Sequence, residues 1–235
     1  MIKAIFFDVG HTLLRPALPT AEYCCRFLAA HGHFRDGEQV KAAMHTADAE
    51  LMARYHTLTD DWAYPHTIHA LWVRYYQHVF ALLDVADANA QLAQELIAWY
   101  GQPAAWQPFP EVSSVLADLH GRGFVLGAVS DWGPTLPAIL HSHDLTRYLH
   151  FVLGSGNIGF CKPSFQFYRL ALQRSGVQPH EALHVGDSYY ADVRGARAAG
   201  IRPVLLDRSG IPSRLDCPVI TDLQQLSPLL DSTEP

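Results

Sequence analysis

Charge is scarce in this chain, and positive charge scarcer still: 17 Lys and Arg stand against 23 Asp and Glu, a formal charge of −6, with charged residues at 17% of the whole. A polyanionic backbone is held by cationic surface, so nucleic acid is excluded as a main partner. Long apolar runs are also missing, since none approaches the roughly 20 residues that a bilayer-crossing helix needs. The opening residues show no basic region followed by an apolar stretch and a small-residue cleavage site. The expectation is a soluble, cytoplasmic protein with no membrane partner. Cysteine is sparse: the four residues, at 24, 25, 161 and 217, include an adjacent pair and suit neither a disulfide framework nor a zinc site. They read as reduced thiols. There is no internal repeat and no low-complexity tract. What the chain does have is apolar material, 49% of 235 residues, enough to bury a core in one or two domains and to exclude disorder as the dominant state.

Two textures divide that material. Lys3–Phe7 is a short apolar run that stops abruptly at Asp8-Val-Gly-His-Thr12, the pattern of a buried parallel strand meeting a polar loop. From Pro16 to about Trp106 the spacing is helical, clearest in Ile68, Leu71, Trp72, Tyr75, Val79 and Leu82. Turn formers punctuate both ends of this stretch. Beyond Pro110, apolar runs at Phe124–Val129, His150–Leu153, Ala182–Val185 and Arg202–Leu206 alternate with helical segments. That alternation predicts a Rossmann-like parallel five-stranded sheet with helices on both faces, formed by 1–15 and 107–235, and an all-helical cap formed by 16–106. Ligands of such sheets sit beyond the carboxyl ends of the strands. Asp8, Ser130, the loop to Lys162, and Asp187 all follow a run, so four separated segments converge on one edge.

That edge would hold carboxylates at 8, 187 and 192, an ammonium at 162 and a hydroxyl at 130. Crowded carboxylates repel one another unless a cation joins them, and hard oxygen ligands of this kind suit Mg²⁺. A nucleophilic carboxylate, a cation and a lysine around one vacancy are what phosphoryl transfer to aspartate requires.

Asp8-Val-Gly-His-Thr12-Leu, Val129-Ser130-Asp, Gly159-Phe-Cys-Lys162-Pro163 and Gly186-Asp187-Ser-Tyr-Tyr-Ala-Asp192 together resemble the four ordered motifs of the haloacid dehalogenase-like hydrolases, over almost the whole chain. The resemblance implies a sheet order of 5-4-1-2-3 and a cap that closes over the site. It also implies that Asp8 is the nucleophile and that Asp8 and Asp187 bind Mg²⁺, joined by the backbone carbonyl of Gly10, with Asp192 acting through the ion's outer hydration shell. Ser130 would donate to a phosphoryl oxygen, Lys162 would offset the charge of Asp8 and phosphate, and Thr12 would brace the loop. Arg15 at the hinge, with Tyr55, His56 or Trp62 in the cap, are the candidates for selecting a small-molecule substrate.

One position departs from the pattern. Phosphatases of the family carry an acid/base aspartate two residues after the nucleophile, where this chain has Gly10. General acid–base help is worth about 10² to 10⁴ in rate, so leaving groups that need no proton are favoured, unless His11 substitutes. The expected activity is Mg²⁺-dependent hydrolysis of a small phosphorylated metabolite through an aspartyl-phosphate. A 2-haloacid dehalogenase, which also lacks that aspartate, is the first rival, and a catalytically idle metal-binding regulator the second. Against the dehalogenase stands Asp187, which a metal-free site would leave beside Asp8 with only Lys162 to offset both.

Other signals are assigned to packing or local structure. Gly154-Ser-Gly156-Asn-Ile-Gly159 spells a dinucleotide fingerprint but does not open a helix at once, and Lys162 follows it. His66 and His69 lack further metal ligands. Trp72, Tyr75 and Phe80 read as packing within the cap, and Asp131 as the cap of the next helix.

Overall fold

Four apolar residues with no solvent exposure, Ala4–Phe7, form β1 at the centre of the molecule. The structure is a computed structural model that describes residues 1–55, 60–210 and 215–231, except for the side chains of 54 and 55. After β1 the chain makes β2 (Leu14–Pro16), then helices α1 (Thr20–Ala30), α2 (Gly37–Tyr55), α3 (Pro65–Leu82) and α4 (Gln91–Tyr100), and returns through β3 (Trp106–Pro108). Thereafter strands and helices alternate: α5 (Val112–Gly121), β4 (Val125–Ser130), α6 (Leu136–Ser142), β5 (Phe151–Gly154), α7 (Ser155–Ile158) and α8 (Phe165–Ser175). β6 (Ala182–Gly186), a π-helical turn (Tyr189–Arg194), α9 (Gly195–Ala198), β7 (Arg202–Leu206), β8 (Val219–Ile220) and α10 (Leu226–Asp231) complete it. No helix among the described residues is long and apolar enough to cross a membrane.

The main sheet runs β5-β4-β1-β6-β7-β8, every pair parallel. Its first five strands have the predicted order. The sixth corrects the expectation of five: β8 is two residues long, too short to leave a periodic signal, and pairs with Leu205 and Leu206 of β7. Side chains of β1 alternate between the two faces, as the period of two demands. Ile5 and Phe7 pack with Leu116, Leu119 and Ile139, whereas Ala4 and Phe6 pack with Phe167, Tyr168 and Ala196. Truncating a buried phenylalanine such as Phe6 to alanine costs about 3 to 5 kcal/mol in sites of this kind.

The helices α1–α4 keep a hydrophobic cluster of their own, built on Leu28, Val79, Phe80 and Leu96. Local chemistry sets their ends. The backbone N–H of Leu92 and Ala93 donate to the Asp87 carboxylate at 3.0 Å each, satisfying two of the free donors that open α4. Pro65 occupies the first turn of α3, where no N–H is needed. The chain joins the two parts through an antiparallel ribbon in which Leu14 pairs with Pro108, Arg15 with Gln107 and Pro16 with Trp106.

The glycine run after β5 has a packing explanation. A Cβ on Gly154 or Gly156 would come within 3.2 Å of the Trp132 carbonyl oxygen, and Gly156 N–H donates to that carbonyl at 3.0 Å. These glycines admit the loop that follows β4.

Candidate active site

The polar groups singled out in the sequence meet at the carboxyl ends of β1, β4 and β6. Asp8 follows β1 and is 7% exposed. Its Oδ1 accepts from Ser130 Oγ at 3.0 Å and from Lys162 Nζ at 2.6 Å. Lys162 is itself buried and donates a second bond, also 2.6 Å, to Asp192 Oδ1. Burial opposes the charge on Lys162, but Asp192 and Asp8 more than offset it and hold the ammonium above its ordinary range. For Asp192, burial is likewise outweighed by Lys162 and His184, and its carboxyl is held well below the usual range.

Asp192 is carried on the π-helical turn, a rare geometry that recurs at functional sites. The turn is fastened at its start by the Ser188 side chain, which accepts from Ala191 N–H, and by the Ser188 N–H, which donates to Asp192 Oδ2 at 3.0 Å. Gly186 makes this approach possible, since a Cβ there would lie 2.1 Å from the Asp192 carboxyl carbon. His184, fully buried in the middle of β6, places Nε2 2.8 Å from Asp192 Oδ1 and meets the Tyr168 ring edge-on at 5.1 Å. Burial lowers the His184 pKa despite the neighbouring carboxylate. Nothing in the sequence separates this histidine from the apolar run around it.

Asp187 completes the group. Ligand atoms of Asp8, Asp187 and Asp192 lie within 4.8 Å of one another. Asp187 is exposed, yet desolvation by the protein around it and the neighbouring Asp8 and Asp192 push its carboxyl up to about 8. Carboxylates this close repel one another, and their all-oxygen donor set suits a hard divalent ion.

The loop after β1 is clamped from the far side. Arg208 donates to the carbonyls of His11 (3.1 Å) and Thr12 (2.8 Å), pairs with the buried Glu111 at 2.6 Å, and lies 3.5 Å above the Phe109 ring. His11 sits in this loop at φ 57°, a left-handed conformation uncommon for a residue with a side chain. Thr12 is fully buried within it. Arg208 was not identifiable from sequence, because its partners are carbonyls nearly two hundred residues away.

Several sequence-based expectations change. Arg15 is not drawn into the cluster: it is exposed on β2 with its guanidinium 5.5 Å from the Phe109 ring. Asp131 does not cap a helix, because α6 starts only at Leu136; its Oδ1 accepts from the Lys162 backbone N–H at 2.9 Å and ties the lysine loop to β4. Trp72 is only partly buried and, with Trp62 (5.5 Å between rings), faces a cleft beside the core, whereas Tyr75 and Phe80 are interior packing as expected. His66 stacks on Tyr64, and His69 lines the same cleft. His56 and the Tyr55 side chain lie outside the described residues.

A strand-end aspartate bonded to a buried lysine, with two more carboxylates alongside, stands at the carboxyl edge of a parallel sheet, where the sequence motifs place a hydrolase site. A sequence profile of the haloacid dehalogenase-like hydrolases matches residues 2–200, and the chain belongs to that family. Mouse haloacid dehalogenase-like hydrolase domain-containing protein 3 is 30% identical over 246 residues, covering 100% of this chain and 97% of its own. A phosphoserine phosphatase of Thermus thermophilus is 34% identical over 175 residues, 72% of this chain and 67% of its own. Among solved structures, a HAD-hydrolase from Bacillus subtilis bound to magnesium superposes with TM-score 0.81 at 18% identity, covering 98% of this chain and 99% of that one. A 2-haloacid dehalogenase from Pseudomonas syringae covers both chains fully with TM-score 0.66 at 26% identity.

Proposed function

We propose that the protein is a Mg²⁺-dependent phosphatase of a small phosphorylated metabolite, working through an aspartyl-phosphate on Asp8. The observation that carries this reading is that Asp8, Asp187 and Asp192 bring ligand atoms within 4.8 Å of one another, while Lys162 bonds Asp8 and Asp192. A metal-free dehalogenase would gain nothing from a third carboxylate that raises the charge of its own nucleophile's surroundings. The similarity to a phosphoserine phosphatase supports the same choice.

Asp8, Asp187 and the Gly10 carbonyl would hold the ion, with Asp192 behind them. Bound there, Mg²⁺ would neutralise charge on the phosphoryl oxygens. Asp8 Oδ1 is engaged by Ser130 and Lys162, which leaves Oδ2 as the attacking atom. It forms a bond to phosphorus while the bond to the leaving oxygen breaks, that oxygen keeping the electron pair. Lys162 and Ser130, already aimed at Oδ1, offset the charge that accumulates. Water then attacks the same phosphorus, the bond from phosphorus to Asp8 breaks to return the carboxylate, and the proton the water loses neutralises the departed oxyanion. The helices of 16–106 act as a cap that excludes bulk water from 1–15 and 107–235 during these steps. A cytoplasmic location belongs to this reading.

The test is release of inorganic phosphate and of halide, scored separately, from phosphate esters and 2-haloacids with Mg²⁺ and with chelator. Phosphate release that chelator abolishes is expected. Halide release insensitive to chelator would overturn the reading in favour of the dehalogenase, which Gly10 also permits.

A further inference from the structure

Beside the loop that carries Gly10, half-buried aromatic rings converge from both parts of the chain. Trp132, directly after the β4 strand end, and Trp106, on the connecting ribbon, have ring centroids 4.5 Å apart. Trp62 and Trp72 approach from the helical side, and Tyr100 lies 6.0 Å from Trp106. These rings border two adjoining cavities of about 260 and 300 Å³, which share Trp72, Ile97, Tyr100 and Trp106. His11 lines the second, and a Cβ on Gly10 would touch the Trp132 ring at 3.5 Å, so the cleft opens onto the nucleophile loop.

Two of the lining residues are held by hydrogen bonds. Trp106 Nε1–H donates to the Tyr100 carbonyl at 2.8 Å, and the Trp132 backbone N–H donates to Ser155 Oγ at 3.1 Å. Among the described residues no Lys or Arg borders either cavity, while Asp131 and Asp48 do. An anionic leaving group, such as one bearing a carboxylate or a second phosphate, would lose hydration there and meet no permanent cation, only the imidazoles of His11 and His69. A flat neutral ring would instead bury its faces against indole and phenol.

The chemistry at Gly10 points the same way for a separate reason. With no carboxylic acid at that position, the leaving oxygen departs as an anion. A phenol holds its proton with a pKa of about 10, whereas water and simple alcohols lie near 15.7, so a phenolate needs far less help to leave. We propose that the substrate class is an aryl phosphate monoester whose uncharged ring occupies the aromatic cleft. Asp8 Oδ2 takes the phosphoryl group, the P–O(aryl) bond breaks, and the electron pair leaves on the phenolate oxygen. Water then cleaves the aspartyl-phosphate, and the proton it releases neutralises the phenolate. This rests on the phosphatase reading above.

The experiment compares kcat/KM, with Mg²⁺ present, for acetyl phosphate, phenyl phosphate, 1-naphthyl phosphate, glycerol phosphate and glucose 6-phosphate. Acetyl phosphate is the control, because its leaving group needs no proton and has no ring. The two aryl esters are expected to exceed the alkyl esters by at least about a hundredfold, the low end of what a missing acid imposes. KM for 1-naphthyl phosphate is expected at least tenfold below that for acetyl phosphate, a gap of about 1.4 kcal/mol. Trp72→Ala should raise KM for the naphthyl ester about tenfold, with a several-fold smaller change for acetyl phosphate, and Trp72→Phe should restore most of it. If Trp72→Ala does not fold, competitive inhibition of the unmodified enzyme by 1-naphthol is the substitute, and its absence at millimolar concentration overturns the proposal. Hydrolysis of acetyl phosphate without preference for aryl over alkyl esters also overturns it, leaving the phosphatase reading intact. No phosphate release from any ester, acetyl phosphate included, rejects the phosphatase reading itself.

Discussion

Gly10→Asp is expected to add a general acid two residues after Asp8. The site can take the side chain: a Cβ at Gly10 meets only Trp132 Cζ3, at the ordinary contact distance of 3.5 Å, and Gly10 is not among the residues with positive φ. The new carboxyl would stand two residues from Asp8, the position from which phosphatases of the family donate a proton to the leaving group. The expected gain in kcat/KM is about 10² to 10⁴ for alkyl phosphates, equivalent to about 3 to 5 kcal/mol of barrier. Aryl phosphates, which leave unprotonated, should gain little. The assay is phosphate release from glycerol phosphate and from 4-nitrophenyl phosphate across pH 5 to 9, with a thermal melt to show that the variant folds. No change on the alkyl ester in a folded variant would refute the reasoning, because a resident group would then already be donating the proton.

Asp8→Asn should abolish phosphate release while the far-UV spectrum stays close to wild type, because shape is kept; it also removes one of the two charges that Lys162 bonds, so a shift in melting temperature is expected beside the lost activity, and measurable turnover by the purified variant would reject Asp8. Lys162→Met removes the cation that joins Asp8 to Asp192 at 2.6 Å each, and leaving those buried carboxylates unpaired should cost about 3 to 5 kcal/mol in denaturant unfolding; a loss below about 1 kcal/mol would mean the ammonium does not hold the pair. Asp187 sets a pH dependence whose sign follows from its raised carboxyl. Between about pH 4, where the unfolded carboxyl titrates, and pH 8, the folded chain holds a proton that the unfolded chain has released. Metal-free stability should therefore fall as pH rises through that window, and stabilisation by added Mg²⁺ should grow with pH and level off above about 8; a Mg²⁺ effect that is flat from pH 5 to 9 would contradict this. Arg208→Ala frees the His11 and Thr12 carbonyls and unpairs buried Glu111, and should lower kcat along with the melting temperature; full activity would show that the clamp is not needed to hold the nucleophile loop.

The acid–lysine cluster was legible because Asp8, Ser130 and Asp187 each stand at the end of an apolar run. Asp8 and Ser130 stop their strands, and a parallel sheet gathers such ends on one edge. The sheet order followed from the family resemblance, and the short edge strand β8 escaped because two residues carry no period. Contacts between distant segments were not legible. His184 reads as one more residue of an apolar strand, and only the folding of the π-helical turn onto Gly186 brings Asp192 against it. The Arg208 clamp depends on carbonyls, which every residue has. Asp131 was misread because it precedes Trp132-Gly-Pro134, which looks like a helix start, whereas the helix begins later and the carboxylate turns to the Lys162 loop. Trp72 followed the helical period, but being partly exposed it serves both the packing of α3 and the wall of the cleft.

The pairing of Pro16 with Trp106 means that the whole helical insertion enters and leaves through neighbouring residues, about 5 Å apart as in any antiparallel pair. A tight turn spliced across that doorway would leave every strand pair of the parallel sheet unbroken. The acids and the lysine belong to the frame, and most of the aromatic wall belongs to the piece that can be unplugged. Exchanging that piece for another of different lining would redirect which molecules are accepted while the bond-breaking apparatus stays as it is.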